Sequence, residues 1–128
     1  MIRGTPSPMT IATPELATVR RLGERACVVD LGADFMAARA ADDLAAGAAV
    51  GGAREFVFDL THVRRFEADA LIDLASLCRR LVSYGCEVHV AAHDPGLALE
   101  LRRLAHGDGW TLSPNLSAAL TGLLSRPV

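Results

Sequence analysis

The feature that most constrains this chain is a change of hydrophobic period inside residues 54–85, REFVFDLTHVRRFEADALIDLASLCRRLVSYG. Glu55 to Leu60 is a short run rich in Phe and Val and closed by Asp59, the pattern of a buried strand. Beyond it, Leu71, Leu74, Ala75, Cys78 and Val82 recur at the spacing of a helix with one face inward, a stripe that Leu77 and Leu81 widen. Arg79 and Arg80 suit the negative end of the helix dipole, and Gly85 predicts a left-handed stop. The stretch is therefore strand, loop, helix. The loop, THVRRFEAD, follows the carboxyl end of the strand, where function in α/β proteins collects.

The rest of the chain extends the same alternation. Residues 1–13 are punctuated by Pro and read as a flexible lead-in, and residues 14–126 read as a single domain. Glu15–Leu22 and Ala26–Leu31 form a predicted hairpin around Gly23-Glu24-Arg25. Met36 to about Val50 is helical by propensity, with Asp34 as its N-cap and Gly51-Gly52 as its stop. After the central stretch come a strand at Glu87–Ala92 and a helix opened by Asp94-Pro95 that runs to Ala105 and buries Leu97, Leu101 and Leu104. Gly107-Asp108-Gly109 turns into a short strand at Trp110–Leu112, and Asn115 caps a last helix through Leu124. The predicted class is α/β: an N-terminal β-hairpin, then alternating helices and strands, with a mostly parallel central sheet flanked by about four helices.

Composition narrows the function classes. Hydrophobic residues make up 51% of the chain but aromatic ones only 5%, so the core must be helix packed closely on sheet with few large anchors. A net charge of −2 argues against a nucleic-acid partner. All 13 basic residues are Arg, so there is no P-loop Lys, and Gly47, Gly51 and Gly52 precede a strand where a phosphate loop would follow one. No G-x-S-x-G elbow is present, and no Cys–His pairing is legible. The chain reads as non-enzymatic. The Ala/Gly-rich run after Phe35 is interrupted by Arg39, Asp42 and Asp43, so no membrane insertion is expected, and the amino terminus lacks the apolar segment of a signal peptide. Three cysteines, Cys27, Cys78 and Cys86, are odd in number and widely spaced; they read as packing residues, with a redox pairing of Cys78 and Cys86 across Gly85 as the alternative. A cytoplasmic location follows. His89 and His93 would lie about 13 Å apart on a strand, too far to share an ion. Nothing resembles C-x-x-C or H-E-x-x-H and no pattern assigns a ligand role to His62 or His106, so neither a metal nor a cofactor is expected.

This order of elements, with the words inside it, resembles the STAS domain of bacterial anti-sigma-factor antagonists across Leu16 to Leu124. The segment DLTHVRRFEADALIDL is similar to that family's strand-end D-L-S-x-V followed by D-S-[ST]-G-L and a helix. HDPGLALELRRLAHGDGW is similar to the next loop and helix, and NLSAAL to the closing S-L-x-x-A-L. The resemblance implies a domain that docks on an anti-sigma factor with a kinase-like ATP-binding domain, and that is released when the partner phosphorylates the Ser after the motif's Asp. Other options it leaves open are another STAS-bearing partner, self-association, or a place as accessory subunit in a transport or signalling complex. Outside the family, a small α/β ligand-binding domain is the rival.

The chain departs from the motif at its centre. Glu67 stands for the Asp, Ala68 for the phosphoacceptor Ser, Asp69 for the second hydroxyl residue and Ala70 for the Gly. The family's earlier G-x-[LIV]-D word has a shortened counterpart in Gly32-Ala33-Asp34, which brings Asp34 into the expected partner-binding set. Ala68 is thus a degenerate phosphorylation site. Glu67, Asp69 and Asp73 place carboxylates in or just before the helix's first turn, where exposed amides favour negative charge. They are open to three readings: plain helix capping, a permanent substitute for phosphate, or the surroundings of a site locked in its unphosphorylated, binding state. Thr61, His62, Arg64 and Arg65 complete the expected partner surface, with Val63 and Phe66 turned inward; a solvated basic turn is the alternative.

Overall fold

The computed structural model describes residues 17–124. The expected lead-in and the start of the expected first strand lie outside the described residues. The hairpin forms as β1 (Thr18–Leu22) and β2 (Ala26–Asp30), antiparallel with Leu22 opposite Ala26. Gly23 at φ 74° supplies the left-handed turn between them.

Two short strands correct the sequence reading. β3 (Asp34–Phe35) and β5 (Arg65–Phe66) pair in parallel as a small second sheet, Asp34 opposite Arg65 and Phe35 opposite Phe66. Asp34 is therefore not a helix N-cap. The first helix, α1 (Arg39–Val50), begins three residues later than its propensity suggests, behind Ala38 and without a side-chain cap. The reason is a tertiary one. Phe35 is buried, and Asp34 is held from across the chain by Arg65, so both stay extended although the local sequence favours helix.

The central stretch folds as β4 (Glu55–Asp59) and α2 (Ala68–Ser83), with β5 inside what was expected to be loop. β6 (Glu87–Ala91), α3 (Pro95–Ala105), β7 (Thr111–Ser113) and α4 (Leu116–Leu124) follow. The main sheet runs β1-β2-β4-β6-β7, with β1 antiparallel and every other neighbour pair parallel. It matches the mostly parallel sheet flanked by four helices that the sequence predicts.

Alternation along the strands divides the sheet into two faces. Cys27, Val29, Phe56, Phe58, Val88 and Val90 meet α1, α2 and α3 in the larger core. Val28, Val57 and Ala91 meet Ala119 and Leu123 of α4 in the smaller one. β4 is central and has no exposed face: Phe56, Val57 and Phe58 are fully buried, each contributing roughly 1.5–3 kcal/mol. α1 approaches through Ala41, Ala45 and Ala48, which is how a core with few aromatics stays close-packed. α2 ends as expected: Gly85 adopts φ 89°, and its amide and that of Cys86 return to the carbonyls of Val82 and Leu81. Among the described residues no helix is long and apolar enough to cross a membrane.

Candidate docking surface at the start of the second helix

The site is built where β4 leaves the sheet. Asp59, 2% exposed, turns the chain: its Oδ1 accepts from the Thr61 amide at 3.0 Å and from the Thr61 hydroxyl at 2.6 Å. The Val63 amide donates to the Leu60 carbonyl, and Val63 is buried as expected. His62 is exposed, with Nδ1 3.6 Å from Asp30 Oδ2 at the end of β2. Thr61 and His62 thus lie against the ends of β4 and β2.

The next residues are fixed by the small sheet. Arg64 and Arg65 amides donate to the Ala33 carbonyl, and the Glu67 amide to that of Phe35. The Arg65 guanidinium grips Asp34 with both arms, Nε to Oδ1 at 2.9 Å and Nη2 to Oδ2 at 2.7 Å. That hydrogen bonding holds the Asp34 carboxyl below its ordinary range. The expected partner-binding residues Asp34 and Arg65 therefore serve first each other. Their pairing sets the path of the chain into α2.

α2 begins at Ala68. Glu67 has the extended N-cap conformation (φ −102°, ψ 141°) but its side chain caps nothing. Capping by side chain, one reading of the acidic cluster, does not occur at Glu67. Glu67, Ala68 and Asp69 are all exposed around the helix start, while Ala70 is buried in the core. Asp73 lies in the second turn rather than the first, next to Ile72, which is 49% exposed. The structure thus joins Glu67, Ala68, Asp69 and Asp73 on one helix start.

Sequence reasoning missed the apolar part of this region. A groove of about 550 Å³ lies between β3 and α1, lined by Leu31, Phe35, Met36 and Ala40 and bordered by Asp34. Met36 is 42% exposed. Its exposure depends on the helix starting at Arg39, which no local signal announces.

The three cysteines are free thiols and all buried. Burial pushes the Cys27 thiol up to about 11 and raises those of Cys78 and Cys86, so thiolate is scarce at neutral pH. Packing is the role these positions fit.

No family model matches the chain, and no curated protein does. Among solved structures the chain is similar to the anti-sigma factor antagonist SpoIIAA in its unphosphorylated form. The TM-score is 0.63 over 88% of this chain and 99% of that one, at 8% sequence identity. At such identity the likeness speaks for the fold and not for shared side-chain chemistry. The strand order, the three-helix and one-helix faces and this likeness together establish that the chain has a STAS-like α/β fold.

Proposed function

We propose that this domain is a non-enzymatic, cytoplasmic regulator of the anti-sigma-factor-antagonist type, docking on a kinase-type anti-sigma factor through the start of α2 and the neighbouring groove. The observation that carries the reading is Ala68: an exposed, uncharged methyl as the first residue of a helix that starts at the carboxyl edge of a STAS-like sheet. Around it lie what a protein interface uses, exposed apolar Met36 and Ile72 and exposed carboxylates at Glu67 and Asp69. Arg64, exposed beside them, adds a cation to the rim.

Ala68 offers no hydroxyl, and the Thr61 hydroxyl is already donated to the buried Asp59. On this reading docking is not released by phosphorylation at the helix start. The test is to incubate the purified chain with kinase-type anti-sigma factors encoded near its gene, with and without ATP. The wild type forms a complex that ATP leaves unmodified, whereas Ala68→Ser gains one phosphate and loses the complex, because nearly two negative charges enter the interface. Phosphate on the wild-type helix start, or no complex with any such partner, overturns the reading.

A further inference from the structure

The ends of β2 and β4 hold a cluster that the docking surface does not use. Asp30 and Asp59 are register partners on adjacent parallel strands, so their side chains leave the same face one strand spacing apart. Each is fixed by its own turn. Asp30 Oδ1 accepts from the Gly32 amide at 2.9 Å, and Asp59 Oδ1 accepts both Thr61 donors. Asp59 is 2% exposed, and among the described residues the donors that reach its carboxylate are both from Thr61. No Arg forms an ion pair with either carboxylate among the described residues. His62 faces this pair, with Nδ1 3.6 Å from Asp30 Oδ2, longer than a hydrogen bond.

Like charges side by side on neighbouring strands repel, and a cation between them would relieve that repulsion. One ligand atom from each of Asp30, Asp59 and His62 lies within 4.8 Å of the other two. A cation seated about 2.0–2.2 Å from each would draw these atoms slightly closer and neutralise both acids. The exposed His62 side chain can make that movement. Two carboxylate oxygens with one imidazole nitrogen suit a borderline divalent metal. Calcium asks for six to eight oxygens, and magnesium keeps mostly water.

We propose that Asp30, Asp59 and His62 bind one divalent first-row transition-metal cation of the zinc class, with its remaining positions open to water. The ion would tie the Thr61–Val63 turn to both strand ends. Sequence spacing does not bring these residues together because they come from two strands and a turn, so the proposal departs from the metal-free expectation for His62.

The test is calorimetric titration of the full chain with zinc chloride alone, with magnesium chloride as comparison. The wild type binds one zinc per chain and magnesium far more weakly. His62→Ala and Asp30→Asn weaken zinc binding by about tenfold or more, while His93→Gln with His106→Gln leaves it unchanged. His62 is exposed, so its variant folds, and circular dichroism of both site variants confirms folding. Absence of zinc binding, undiminished binding in His62→Ala, loss in the His93/His106 variant, or equal magnesium affinity each overturns the proposal. None of these outcomes depends on an anti-sigma partner, so failure here is distinct from failure of the docking reading.

Discussion

Replacing Glu67 by Asp tests the geometry of the helix start on which the proposed docking surface rests. Glu67 already has N-cap backbone angles, and its carbonyl accepts from the Ala70 and Leu71 amides at 3.0 and 3.3 Å. What the site lacks is a side-chain acceptor of the right length for the first-turn amides. The same chain shows what such an acceptor does. Asp94 Oδ2 takes the Leu97 amide at 2.9 Å, and Asn115 Oδ1 takes the Ala118 amide at 2.7 Å. Glu67→Asp keeps the charge near the helix dipole and adds that hydrogen bond, so it stabilises the domain by about 1 kcal/mol, within the usual range of roughly 0.5–2 kcal/mol for a cap. For a domain of this size that is a rise of roughly 3–6 °C in Tm. Glu67→Ala removes only the dipole interaction and costs about 0.3–1 kcal/mol. Urea unfolding followed by far-UV circular dichroism gives both values, with unchanged m showing that the end states are the same. A Glu67→Asp variant no more stable than wild type would refute an extended, uncapped residue at position 67 and, with it, the placement of Ala68 at the first helical position.

Further substitutions probe other parts of the fold. Gly107 (φ 78°) and Gly109 (φ 87°) both need the left-handed region, but a methyl on Gly109 meets Val82 Cγ1 at 3.0 Å while one on Gly107 meets open space. Both Ala variants carry about 1–2 kcal/mol of backbone strain, and chemical denaturation should find Gly109→Ala worse than Gly107→Ala by about 1 kcal/mol or more. Asp34, held below its ordinary range by Arg65, contributes stability that is present above the unfolded Asp value near ~3.9 and is lost as pH falls through the lower folded value. Arg65→Met returns Asp34 toward the ordinary range, so the stability gap between wild type and variant should narrow as pH drops from about 5 to about 2; a constant gap would contradict the pairing. All three cysteines should resist a thiol reagent at pH 8 in the folded protein and react as three thiols in denaturant, since burial holds Cys27 near 11 and raises the others. Fast native labelling of any of them would reopen the redox alternative.

The elements written in local code were legible beforehand. The Phe/Val run closing on Asp59 gave the central strand, and the Leu71–Val82 stripe with its Gly85 stop gave α2. Asp94-Pro95 and Asn115 marked two helix starts whose side chains do cap their amides. What local code lacked was the pairing of Asp34–Phe35 with Arg65–Phe66, a contact between segments 31 residues apart. It delays α1, exposes Met36, opens the groove, and commits Asp34 and Arg65 to each other. The Asp30–Asp59 juxtaposition escaped notice for the same reason, since strand register alone brings those residues together.

The central proposal is that this domain grips a protein, a kinase-type anti-sigma factor, through the start of α2. Ile72 on α2 and Leu99 on α3 are matched in exposure, at 49% and 51%. Calorimetric affinity for the kinase-type anti-sigma factor should fall by roughly tenfold or more in Ile72→Arg and change less than about twofold in Leu99→Arg. Equal losses, or a loss confined to Leu99→Arg, would move the interface elsewhere and contradict the account.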